Sequence, residues 1–172
     1  MNYTIKLSVL FTLLFVMPGI MAQGTNASLK FDKAAYYSAL SSGSVDDVNS
    51  VLANLKENTI PEKTAYEGAL LMKKAGLLSK AKDKLSLFKL GRTKLEAAIK
   101  NEEGNIEYHF LRLIIQENAP KIVKYQHDLE NDMELVRLSF KKLTPVVQQA
   151  VSNYSKKSRF LNPQTFNFAS YE

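Results

Sequence analysis

The stretch from Ser79 to Asn105, SKAKDKLSLFKLGRTKLEAAIKNEEGN, decides the fold. Leu85, Phe88, Leu95, Ala98 and Ile99 return at intervals of three, four or seven residues, which places them on one side of an α-helix. Ser79 suits the start of that helix, where a hydroxyl accepts from an otherwise unpaired amide, and Glu102-Glu103-Gly104-Asn105 reads as the turn that follows. Gly91 sits inside the pattern, where glycine costs about 1 kcal/mol relative to alanine. It therefore either kinks the helix or admits a close neighbour. A helix this long with one apolar side has to bury that side against others, so the flanking sequence should also be helical.

Towards the N-terminus, Phe31, Ala34, Ala35, Ser38 and Ala39 recur at helical spacing until Ser41-Ser42-Gly43 stops them. Ser44, Asp46 and Asp47 then suit a helix start, and Val48, Val51, Leu52 and Leu55 line one face. Asn58-Thr59-Ile60-Pro61 ends that helix. Thr59 or Ile60, with Pro61 in the first turn, opens a third carrying Ala65, Ala69, Leu70 and Met72 to Gly76.

Towards the C-terminus, Ile106, Phe110, Leu113 and Ile114 form an amphipathic face up to Ala119-Pro120. Ile122, Val123, Tyr125, Leu129, Met133, Val136, Leu138 and Phe140 fit one long helix, or two broken near Asn131-Asp132. Thr144-Pro145 caps a final helix bearing Val146, Val147, Ala150, Val151 and Tyr154. No run alternates as a strand would. The expected architecture is all-α, about seven antiparallel helices over residues 31–158 in an irregular bundle or hairpin array, followed by an aromatic tail over 159–172.

Lys6 precedes an uncharged apolar run from Leu7 to Met17, and Pro18-Gly19 and Ala22 follow it. This is the layout of a cleaved secretory leader over residues 1–22, and the apolar run is too short for a permanent membrane span. The ending Met21-Ala22-Gln23 resembles the Ala-Gln junctions of exported proteins of Bacteroidetes-type bacteria, which implies a periplasmic or secreted protein. Residues 23–30 are small and polar and read as a lead-in. With no cysteine in the chain, neither a lipid anchor on cysteine nor a disulfide framework is available.

Leu95 to Glu107 resembles the junction between two tetratricopeptide repeats. Ala98 stands where that family packs a small residue against the neighbouring helix, and Glu102 to Asn105 stand at its turn. The resemblance implies helical hairpins that present a binding surface. His109, Arg112 and Leu113 depart from the repeat's preferred residues, and segments starting at Ser44, Ser79 and Asn105 share no period, so repeats of this kind would be degenerate.

The chain carries a net charge of +6, concentrated between Lys73 and Lys100, where only Asp83 and Glu96 are acidic. Such a stripe meets anionic membrane or polymer, and export argues against nucleic acid. The expected partner-binding residues are Lys80, Lys84, Arg92, Lys94, Tyr108, Tyr125, Phe166 and Phe168. Asp128, Glu130 and Asp132 are spaced like the first ligands of a calcium loop, but the required glycine and closing glutamate are missing. His109 and His127 stand alone, without the three or four convergent ligands of a zinc site. No nucleophile elbow or phosphate loop is present. No cofactor, metal or catalytic residue is therefore expected. The reading is an exported, non-catalytic helical protein that binds or scaffolds a protein or envelope partner. The alternatives are an anionic-surface binder and a small envelope-acting hydrolase using Glu107 or Glu117 with a tyrosine.

Overall fold

The computed structural model describes residues 31–162, which form α1 (Lys33–Ser41), α2 (Val45–Glu57), α3 (Lys63–Leu77), α4 (Ala81–Asn101), α5 (Ile106–Asn118), α6 (Leu129–Ser139) and α7 (Pro145–Ser155). Single 3-10 turns cover Lys121–Val123 and Phe140–Lys142, and the described residues contain no strand. The fold is an all-α bundle. The expected leader over 1–22, the expected lead-in over 23–30 and the chain beyond Asn162, with Phe166 and Phe168, lie outside the described residues. No described helix is long and apolar enough to cross a membrane.

Local chemistry explains most helix boundaries. The Asp32 carboxylate accepts from the Ala34 and Ala35 amides at 2.8 and 3.0 Å, and Ser44 accepts from Asp47 at 3.2 Å. Pro145 fills the first position of α7, where its missing N–H is no loss. Two starts differ from expectation. Helix α3 begins at Lys63 because Ile60 to Lys63 closes as a turn, the Lys63 amide donating to the Ile60 carbonyl at 3.2 Å. Helix α4 is capped at Lys80 rather than Ser79, without a side-chain bond.

The larger correction concerns residues 120–140. The break falls at 120–128, not near Asn131-Asp132, which lie inside α6. Pro120 cannot continue α5, and after the 3-10 turn Lys124 takes the left-handed conformation at φ 46°. That reversal delivers Tyr125 into the core beside α4, where its ring meets Phe88 edge-on at 5.7 Å between centroids.

Helices α3 and α4 make the most extensive helix pair, and two glycines set their separation. A Cβ added to Gly91 would lie 2.6 Å from the Gly68 carbonyl oxygen, and one added to Gly68 would lie 2.7 Å from the Leu95 nitrogen. Of the two roles open to Gly91, close approach is the one it fills. Helix α5 packs against α3, α4 and α6 and is buried around most of its circumference by Tyr108, Phe110, Leu111, Leu113 and Ile115. The packed body continues past residue 158: Leu161 is buried, and the backbone of Arg159 is tied to Glu117.

Candidate functional site

A helix as enclosed as α5 should be apolar throughout, yet Glu107, His109, Arg112 and Gln116 are all buried on it. Three of the four are fully engaged. Glu107 accepts from the Tyr37 hydroxyl at 2.9 Å, from the Tyr66 hydroxyl, and from Lys33 at 3.0 Å. Lys33 also pairs with Glu62 at 2.9 Å, so α1, α3 and α5 meet at one carboxylate.

Arg112 and His109 converge on Asp132, which is fully buried in the first turn of α6. Arg112 Nε and Nη2 donate to the two Asp132 oxygens at 2.7 and 2.8 Å, while Nη1 donates to Glu96 at 3.0 Å and lies 3.3 Å from Asp128. His109 Nδ1 lies 2.7 Å from Asp132, and Nε2 lies 2.8 Å from the Glu103 carbonyl. Both partners only accept, so His109 satisfies both contacts as an imidazolium with two donors. The Asp132 hydrogen bond raises its pKa above the ordinary value, against the opposing effect of burial. Glu96 in turn accepts from the Tyr125 hydroxyl, and the Arg92 guanidinium lies over the Tyr125 ring at 4.8 Å.

Glu117 makes the third such anchor. Its carboxylate accepts from the Tyr154 and Ser158 hydroxyls at 2.8 and 2.7 Å and from the Arg159 amide at 2.6 Å. The Ser158 oxygen then accepts from the Phe160 and Leu161 amides, which sets the path of the C-terminal segment. The glutamate–tyrosine pairs considered for acid/base chemistry thus exist, and each of these carboxylates already accepts from several donors. Burial, reinforced by the neighbouring glutamate, pushes the Tyr66 and Tyr154 phenols well above their ordinary values, so neither hydroxyl gives up its proton near neutral pH. Geometry of this kind ties helices together.

Gln116 is the exception. It is 0% exposed, and neither its amide nitrogen nor its oxygen has a hydrogen-bond partner. Leaving one such buried group unpaired costs about 1–3 kcal/mol. Gln116 and Glu117 lie at the base of an open groove of about 890 Å³. Its walls come from the 120–128 connection with Lys121, Lys124 and His127, the start of α6 with Leu129 and Glu130, and the C-terminal segment with Arg159 and Phe160. The wall on the connection is braced by Gln126, which donates to the Ala119 carbonyl at 2.9 Å. Ile122, 87% exposed, stands between the two lysines in sequence. A second cleft of about 410 Å³ runs over Phe110 between α1 and α7, and no side chain with an orphaned polar atom lines it.

The residues expected to bind a partner are dispersed. Lys80 is exposed at the start of α4 and Lys84 is half-buried. Lys94 pairs with Glu67 at 2.9 Å, and Arg92 is held on Tyr125. Tyr108 and Tyr125 are buried and present no ring to a ligand. Sequence reading missed Gln116, Lys121, Lys124, Arg159 and Phe160. A glutamine on a helix carries no periodic signal of its isolation, and the groove brings residues 116–130 together with the distant Arg159 and Phe160.

The acids of the 128–132 segment also separate: Asp132 points into the core, Asp128 lies beside Arg112, and Glu130 is exposed. Among the described residues no group of three His, Asp or Glu side chains converges to hold a metal ion. Comparison with protein families, curated proteins and solved structures finds no match for this chain.

Proposed function

We propose that this is an exported, non-catalytic helical binding protein that receives a protein or envelope partner in the groove between α5, α6 and the C-terminal segment. One observation carries the reading: an open groove whose base holds a fully buried carboxamide with both polar atoms unpaired. Buried polar groups in native proteins nearly always have partners, and exceptions mark places where something else supplies them. The Glu117 and Gln126 hydrogen bonds hold the walls and fix the outline of the groove. Lys6, the apolar run from Leu7 to Met17 and the small residue Ala22 support export.

A photo-crosslinking residue at Phe160 or Ile122 should join the exported protein to a specific envelope component, and one at Ala53 on α2 should not. Equal labelling from all three positions would count against the groove. N-terminal sequencing of exported protein should begin within two residues of Gln23, and a retained Met1 would remove the localisation.

A second reading has its own support on α4. Lys82, Lys89 and Lys100 are exposed and fall along one line of the helix, flanked by Leu85 and Leu90 at 48% and 50% exposure. This face suits adsorption to an anionic membrane or polymer. Sedimentation with anionic vesicles should then weaken steeply with salt. Salt-independent sedimentation would discount it.

A further inference from the structure

We infer that the groove takes an extended acidic peptide segment, an assignment that rests on the groove being the binding site. The Gln116 carboxamide offers two donors and an acceptor side by side. Its natural complement is one residue of an extended chain, whose N–H and C=O point the same way and exchange both bonds with a facing amide. A carboxylate or phosphate alone would satisfy the nitrogen and leave the oxygen orphaned. A peptide backbone satisfies both.

The walls define the side chains. Lys121 and Lys124 have no carboxylate partner among the described residues, and Arg159 reaches the same groove, 3.7 Å from Glu117. Glu117 is committed to Tyr154, Ser158 and the Arg159 amide, which leaves Glu130 as the one uncommitted acid in the lining. The balance favours carboxylates on the ligand. Leu129 and Phe160 add apolar surface to the lining. Side chains of an extended peptide alternate, so an apolar residue can face the groove while acidic neighbours reach the lysines. Because the Gln116 amide atoms are buried rather than exposed at the groove surface, pairing with them requires a local shift of the lining.

The test is an array of random octapeptides probed with the exported chain, followed by titration of the best peptide into isotopically labelled protein. Bound sequences should be enriched in Asp and Glu around an apolar residue, and the Gln116 side-chain amide resonances should shift. Lys121→Ala with Lys124→Ala should weaken binding at least tenfold. Gln116→Leu, which replaces an unpaired buried amide with an apolar side chain of similar size, keeps the protein folded and should weaken it by a similar factor. Absence of acidic enrichment, or affinity unchanged by both variants, overturns the inference. Polygalacturonate, an anionic polymer without peptide bonds, separates the two levels. If it binds with the same dependence on Lys121 and Lys124 while peptides do not, the groove stands and the peptide assignment falls. If neither ligand responds to the groove variants, both fall.

Discussion

Gly68 and Gly91 face each other across α3 and α4 so closely that each helix occupies the space where the other's side chain would be. The contact is backbone against backbone, and a methyl group has nowhere to go without separating the helices. Such crossings gain dispersion contacts along both helices in return for two residues of poor helix propensity.

Gly91→Ala should therefore destabilise the protein by about 1–3 kcal/mol, although alanine is the better helix former. Urea unfolding followed by circular dichroism measures this directly. A variant as stable as the parent would mean that the helices cross farther apart.

Stability should fall with rising pH through His109. Its folded pKa is raised above the 6.5 of the free side chain, first by the Asp132 hydrogen bond and further by the Glu103 carbonyl. A raised value contributes stability in full below about 6.5, and that contribution fades as pH climbs through the folded value. Between pH 6 and 8.5, the urea midpoint of the parent should drop relative to that of His109→Gln. Parallel midpoint curves would show that the imidazolium contributes nothing.

Asp132 is the most sensitive position of the charged core. Asp132→Ala removes the carboxylate that Arg112 and His109 share, leaving Arg112 only Glu96 and Asp128, and should cost about 3–5 kcal/mol, a large part of the 5–15 kcal/mol typical of a domain. Replacing Asp132, Arg112 and His109 together with apolar residues of similar size should cost less than the single change. Thermal melts of the two variants decide the order, and a milder single variant would contradict the network.

Gln116→Leu is expected to behave oppositely, raising stability by about 1 kcal/mol or more because it removes two unpaired polar atoms from the interior. A gain in melting temperature accompanied by loss of ligand would mark the residue as one kept for binding at the expense of stability. A marked loss of stability would show instead that the amide has a structural partner.

The helices were largely legible because their signals are local. Repeating apolar residues, Ser44 with its following acids, and Thr144-Pro145 each act within a turn or two of chain, and α2, α5 and α7 start where those signals place them. The 120–140 segment was misread because its apolar spacing suits a helix equally well at several places. What breaks it is the left-handed turn at Lys124, with Tyr125 seated against Phe88 and Glu96 on another helix. Tyr108 and Tyr125 are buried for a related reason: tyrosine serves equally well at a surface or in a core, and only the tertiary packing around it decides.

By itself, the sequence determined that the described chain is helical, where α2, α5 and α7 start, and that Gly91 had a special role, because those properties arise from neighbours along the chain. Tertiary structure alone decided that Gly91 meets Gly68, that His109 and Arg112 share Asp132, and that Gln116 is left unpaired at the base of a groove. Each of these depends on atoms brought together from distant segments, and pairing energies of buried polar groups have no trace in local spacing.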